Sequence, residues 1–130
     1  MFDKYVIVEG SVRNVADAEG EVVGFSFDTR IAYYRGLGVS MVEPFEVEVD
    51  GEQVPTDQLT FSIGDRTWTF AELEEDYDTR WELTDTATVT VQRPGGLVGE
   101  HTIAATEVLR VSYLPFLSRT RYARTVDVGA

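Results

Sequence analysis

Residues 22–34 read Val-Val-Gly-Phe-Ser-Phe-Asp-Thr-Arg-Ile-Ala-Tyr-Tyr. Val23, Phe25, Phe27, Ile31 and Tyr33 fall on one side of an extended chain, and Ser26, Asp28, Arg30 and Tyr34 fall on the other. Successive side chains of a strand point to opposite faces, so a period of two over this length marks a half-buried strand and not a helix. Working outward, residues 4–15 predict a second strand in two parts, 5–8 and 12–15. The polar stretch 16–20 turns it back as an antiparallel hairpin with the first.

Downstream, residues 39–49 place Phe45, Val47 and Val49 opposite Glu46 and Glu48. Asp50-Gly51 then supplies the positive φ angles of a two-residue hairpin turn. Pro55 cannot donate to a ladder, so the returning strand ends there or lies at an edge. Residues 59–63 and 66–70 flank a second tight turn at Gly64-Asp65. Thr69-Phe70-Ala71-Glu72 has the form of a capping box and predicts a helix of one or two turns, with Leu73 on the face of Phe70. Glu72, Glu74 and Glu75 suit the positive end of its dipole. Residues 86–92 alternate again, with Ala87, Val89 and Val91 inward, until Pro94-Gly95-Gly96 breaks the run. A long strand over 102–113 has Ile103, Ala105, Leu109, Val111 and Tyr113 on one face, and Pro115 ends it. Glu107 shares that apolar face. A bulge or a solvated strand end accounts for it, with a partner-facing carboxylate as the sharper reading. Residues 120–128 add a last strand. Many short strands, frequent hairpin turns and at most one short helix predict an all-β fold, an antiparallel β-sandwich of Ig-like or jelly-roll-like type. One domain covers residues 1–130.

Composition bounds the function. The chain has 130 residues, 43% hydrophobic and 26% charged, which is globular. There is no Cys, and therefore no disulfide framework, thiolate zinc site or cysteine nucleophile. No apolar run reaches the ~20 residues of a membrane span, and the opening stretch is too short and strand-like for a signal peptide. The expectation is a soluble, cytoplasmic protein. A net charge of −12 argues against a nucleic-acid backbone or an anionic membrane as partner. Arg110, Arg119, Arg121 and Arg124 reverse the sign at the C-terminal end, against Asp127 alone. Such a tail reads as a solvated basic end, or as a docking element for an acidic patch of this or another chain.

The inventory for chemistry is thin. His101 is the single histidine, placed after Pro94-Gly95-Gly96 in a loop that opens a strand, where a structural role is expected. The acidic run 72–78 lacks the spacing of an EF-hand loop, and no Gly-x-Ser-x-Gly turn or phosphate-cradling loop is present. No catalytic, cofactor-binding or metal-ligating residue is assigned. What stands out is aromatic and apolar residues near loops: Tyr33, Tyr34 and Arg35; Trp81; and Leu114, Phe116 and Leu117 around Pro115. Tyr, Trp and Arg anchor interfaces, and core packing is the competing explanation for each cluster. These seven residues form the predicted partner surface.

The opening Met1-Phe2-Asp3-Lys4-Tyr5-Val6-Ile7-Val8-Glu9-Gly10 resembles the start of the small (beta) subunits of bacterial C-glycoside deglycosidases. So do Gly24-Phe25-Ser26-Phe27 through Tyr33-Tyr34-Arg35-Gly36-Leu37, Ser40-Met41-Val42-Glu43, Val49-Asp50-Gly51-Glu52-Gln53-Val54-Pro55 and Asp78-Thr79-Arg80-Trp81-Glu82. The likeness runs from residue 1 to about Tyr113. It implies a carbon–carbon lyase that releases the aglycone from 3-keto C-glycosides. A larger alpha subunit with a sugar-isomerase-like barrel would hold a divalent metal, manganese being the expectation, together with the catalytic base. The small subunit would be a non-catalytic β-sandwich in a higher hetero-oligomer, with no cofactor of its own. Two other readings stand beside it: a stand-alone carbohydrate- or aglycone-binding module using Trp68, Trp81 or the tyrosines, and an enzyme with an unrecognised carboxylate pair.

Overall fold

Strand β2 (Val22–Thr29) lies between β1 (Arg13–Ala16) and β9 (Ala87–Gln92), antiparallel to both, in a computed structural model that describes residues 3–111 and 114–128. The remaining strands are β3 (Leu37–Gly38), β4 (Val42–Val49), β5 (Glu52–Gln53), β6 (Leu59–Ile63), β7 (Arg66–Thr69), β8 (Arg80–Trp81), β10 (Gly99–Leu109) and β11 (Ser118–Val128). They form a five-stranded sheet in the order β1-β2-β9-β6-β7, a four-stranded sheet β11-β10-β4-β5, and a small pair β3-β8. Every pairing among the described residues is antiparallel. The sandwich expected from the alternation is therefore the fold.

The two larger sheets share one apolar core. Phe25, Phe27, Leu59, Phe61, Val89 and Val91 come from the first, and Phe45, Val47, Val49, Ile103 and Ala105 from the second. Phe61 packs edge-on to Phe45 and Trp81, with ring centroids 5.9 and 5.2 Å apart, an arrangement that suits the quadrupoles of the rings. The turn chemistry is as read. Asp50 (φ 51°) and Gly51 (φ 88°) both occupy the left-handed region that the β4–β5 hairpin needs. The single α-helix of the described residues, α1 (Phe70–Leu73), carries both halves of its capping box. The Thr69 side chain accepts from the Glu72 N–H, and Glu72 accepts from the Thr69 N–H.

Several expected boundaries shift. The alternation of 22–34 continues in the sequence, yet the strand ends at Thr29, and residues 30–36 join no strand. Val23 is exposed, so inward packing begins at Phe25. Residues 5–8 join no ladder. A 3₁₀ turn at Asp3–Tyr5 precedes them, and Val6 and Ile7 are both buried. They run beside β2 through two hydrogen bonds, Val8 N–H to the Asp28 carbonyl and Arg30 N–H to the Tyr5 carbonyl. Residues 39–41 form a 3₁₀ turn before β4. Strand β10 begins at Gly99 and stops at Leu109, and Tyr113 lies outside the described residues. The last strand starts two residues earlier than expected, at Ser118.

Candidate functional site

Six of the seven residues singled out in the sequence lie on two loops that leave the same end of the sandwich. Thr29, the last residue of β2, bonds Glu107, two residues before the end of β10. The loop that follows β2 carries Tyr33, Tyr34 and Arg35, and the loop that follows β10 carries Leu114, Phe116 and Leu117. Both therefore leave from the same end.

In the first loop, the rings of Tyr33 and Tyr34 are 4.4 Å apart and tilted by 39°, and the Arg35 guanidinium lies 5.9 Å from the Tyr33 ring. Tyr34 is 60% exposed, while Tyr33 packs partly on the core. Their separation into inner and outer roles survives, although no strand places them on opposite faces. Gly36 fixes the loop. It is buried, and a Cβ there would sit 2.8 Å from the Trp81 carbonyl oxygen, so only glycine lets the chain pass. In the second loop, Phe116 is 65% exposed and Leu117 39%, whereas Leu114 rests against the core.

Trp81 does not belong with them. It is completely enclosed, and its indole N–H donates to the Asp85 carbonyl at 3.1 Å. Trp68 is also buried and donates to Asp76 Oδ2 at 3.0 Å. A binding module resting on the tryptophans thus loses both, and the tyrosines are left.

Sequence reasoning passed over Tyr5, Arg30 and Leu83. With Ile31, Tyr33 and Tyr34 they line a cleft of roughly 320 Å³. Arg30 donates to the Leu83 carbonyl at 2.8 Å and lies 5.7 Å from the Tyr5 ring. No local pattern marks these three, because the cleft joins segments about 25 and 50 residues apart.

The polar candidates are engaged inside the fold. His101 Nδ1 is 2.7 Å from Asp50 Oδ2, and Nε2 is 3.0 Å from the Val98 carbonyl, so the imidazole ties the hairpin turn to β10. The Thr102 N–H and His101 together hold the Asp50 carboxyl below its ordinary range. The basic end of the chain meets its own acidic partners. Across the small Ala104 and Thr106 of β10, Arg119 pairs with Glu46 and Arg121 with Glu48 at 3.6 Å. Arg110 reaches Glu43 at 3.5 Å. The acidic patch suggested by the charge reversal is therefore β4 of this chain. Among the described residues, no three His, Asp or Glu side chains converge as a metal site.

Glu107 corrects one expectation and meets another. The bulge is present: the β10–β4 register shifts between Thr106 and Val108, where Pro44 and Phe45 of β4 face the single residue Glu107. Pro44 has no N–H to give a ladder, which explains a lapse there. A solvated or partner-facing carboxylate is not what the bulge presents, because Glu107 is 1% exposed.

A family model described as C-glycoside deglycosidase beta subunit matches residues 2–113. A protein of Eubacterium cellulosolvens named C-glycoside deglycosidase beta subunit is 35% identical over 114 residues, covering 87% of this chain and 78% of that one. The 3'-dehydrocarminate deglycosidase beta subunit of a Microbacterium species is 36% identical over 118 residues, covering 88% and 83%. A further C-glycoside deglycosidase beta subunit, from Arthrobacter globiformis, is 28% identical over 76 residues, 58% of each chain.

Proposed function

The chain belongs to the C-glycoside deglycosidase beta subunit family, and we propose that it is the non-catalytic small subunit of a heteromeric carbon–carbon lyase acting on 3-keto C-glycosides. The observation that carries this reading is the match itself, which covers 87–88% of the chain at 35–36% identity. The geometry supports the division of labour. Asp76, His101 and Glu107 each spend their polar atoms on this fold's own backbone and side chains.

In this reading the reacting atoms lie in a larger subunit with a sugar-isomerase-like barrel. A ketone beside the departing C–H makes that proton removable by a base. The aglycone then leaves the anomeric carbon by elimination, and its ring carbon takes up a proton. A divalent metal in the larger subunit would stabilise developing enolate charge. The small subunit contributes a docking end, formed by Tyr33, Tyr34 and Arg35 with Leu114, Phe116 and Leu117. Exposed apolar residues of this kind commonly mark a contact surface.

Co-expression with the barrel subunit, followed by sizing and an assay on a 3-keto C-glycoside with manganese, tests the proposal. A stable complex that turns over and a lone chain that leaves the substrate intact are the expected results. Turnover by the lone chain overturns the non-catalytic role. The cleft beside Tyr5 and Arg30 favours a second reading, direct contact with a sugar or aglycone ring. Substrate binding to the isolated chain would decide for it.

A further inference from the structure

Ala32 is buried and belongs to no strand, so its N–H has no ladder partner. A buried backbone donor without an acceptor is costly, and native folds supply one. The acceptor here is Glu107 Oε1, 2.6 Å away and 75 residues later in the chain. Glu107 Oε2 lies 3.2 Å from the Thr29 hydroxyl, whose oxygen is 3.5 Å from the Tyr5 carbonyl. The carboxyl therefore reaches from β10 of the four-stranded sheet to the chain that leaves β2 of the other sheet. It grips that chain on both sides of Arg30 and Ile31, immediately before Tyr33, Tyr34 and Arg35.

We infer that Glu107 is a positioning residue, which holds the loop after β2 in the shape that docks the larger subunit. The inference rests on the docking role proposed above for that loop. Its geometry is independent of that role, because the grip is internal to this chain.

Protonation fits the same picture. Burial pushes the Glu107 carboxyl up to about 8, against the opposing effect of the Ala32 and Thr29 hydrogen bonds. At neutral pH the neutral acid predominates. Oε1 then accepts from Ala32, and the Oε2 hydroxyl donates to Thr29, which can turn its own hydrogen toward Tyr5. Among the described residues, the charged and titrating groups on surrounding elements have partners other than Glu107 or lie exposed. Asp28 faces Arg13 and Thr88, and Arg30 reaches out to the Leu83 carbonyl. On β11, Thr120 stands opposite Glu107, the neighbouring Arg119 and Arg121 pair with Glu46 and Glu48 on the outer face, and Tyr122 meets Arg124. Tyr5 and Lys4 lie on the exposed 3₁₀ turn that packs near β11. Ionising the buried acid favours states in which this end opens to let water reach it.

Trypsin reads the grip directly, because cleavage at Arg35–Gly36 requires the buried Gly36 to come free. Wild-type protein is digested at pH 7 and pH 9, with cleavage elsewhere in the chain as the reference. The relative rate at Arg35 should rise about tenfold, the change in neutral fraction for a group near 8. Glu107→Gln offers an acceptor and a donor without a titrating proton, so it should be cut no faster than wild type at pH 7 and show a flat profile. Glu107→Leu should be cut rapidly at both pH values. If the Leu variant does not fold, Thr29→Val provides the second test, with faster cutting at pH 7. A flat wild-type profile, or a Gln variant that behaves like Leu, overturns the inference. Affinity for the co-expressed larger subunit is measured on the same proteins. It should weaken with Leu and be rescued with Gln. The expected cleavage pattern with unchanged affinity in every variant overturns the docking role of the loop, leaving the grip itself intact.

Discussion

Asp76 and Glu107 both use a carboxyl group to fix a loop, at separate places and by opposite means. Asp76 sits in the loop after α1 and collects five donors. Its Oδ1 accepts from the N–H groups of Asp78 and Thr79, and its Oδ2 accepts from Arg66, Trp68 and the Thr79 hydroxyl, all at 2.9–3.2 Å. Partial enclosure works against its charge, but the bonds from Thr79, Asp78 and Trp68 outweigh it and hold the carboxyl below its ordinary range. Glu107 has two hydrogen-bond partners and complete burial, and burial wins. The contrast shows that donor count against desolvation sets the sign. The Asp76 loop is held with its acid ionised, the loop after β2 with its acid neutral, so they weaken at opposite ends of the pH scale.

The largest effect should therefore appear in stability against pH. Glu107 has a folded pKa of about 8 against an ordinary 4.5. A raised pKa means the folded state holds the proton longer than the unfolded chain. Its contribution is complete below 4.5 and is lost as pH rises toward 8. The loss is at most about 1.4 kcal/mol per pH unit, and on the order of 5 kcal/mol across the window. Urea unfolding of wild type and Glu107→Gln at pH 5, 6.5 and 8.5 isolates this from the other acids. The difference should swing steadily toward the Gln variant. A difference constant with pH would make the two carboxyls alike.

Next in size is the docking end itself. Losing an apolar anchor from an interface costs about 2 kcal/mol or more, about thirtyfold in affinity. Phe116→Asp changes a side chain that is already 65% exposed, so the isolated chain should keep its circular dichroism while the complex falls apart on sizing. Unchanged affinity in a folded variant would move the interface elsewhere on the sandwich.

The two loops also differ in how far local sequence could describe them. The β6–β7–α1 stretch can be read residue by residue, since its turn and capping box are made by neighbours within about five positions. The hairpin at Asp50-Gly51 is legible for the same reason. Residues 30–36 are not. Their alternation is genuine, but Glu107 lies 75 residues from the Ala32 it holds, and no local pattern shows where the ladder must stop. Glu107 still announced itself as an acid on an apolar face. Its partner did not, and neither did the enclosure of Trp81, whose loop-like setting hides a place in the aromatic core against Phe61. The basic end shows the same limit. Its charge reversal is visible in the chain, while the pairing of Arg119 and Arg121 with β4 depends on a sheet order that composition does not contain.

A smaller effect is expected from Asp76→Ala. The substitution leaves the Trp68 indole and the Thr79 N–H without their acceptor, and the thermal midpoint should fall by about 3–6 °C near neutral pH. The sign with pH is the reverse of that for Glu107. A lowered pKa gives stability that is present above the ordinary 3.8 and lost as pH falls through the lower folded value, so the variant and wild type should converge in acid. Affinity for the larger subunit should not change, because this loop is not among the docking residues. A loss of binding in a folded Asp76→Ala protein would extend the docking surface to a second loop.

The smallest effect belongs to His101→Gln. The imidazole bridges Asp50 and the Val98 carbonyl, and its loss removes two contacts at the edge of a hairpin. Asp50 keeps its main support, the Thr102 N–H at 2.8 Å, which contributes more than His101 to holding its carboxyl below the ordinary range. The turn does not depend on the histidine either, because Asp50 and Gly51 hold their positive φ angles through their own backbone preferences. Glutamine can still donate to Asp50. Turnover of the assembled complex on a 3-keto C-glycoside should therefore stay within about twofold of wild type, the usual range for a partly exposed substitution away from an active site. A complex that assembles normally and yet loses turnover by orders of magnitude would place this imidazole at the reacting atoms, and the small subunit could no longer be called non-catalytic.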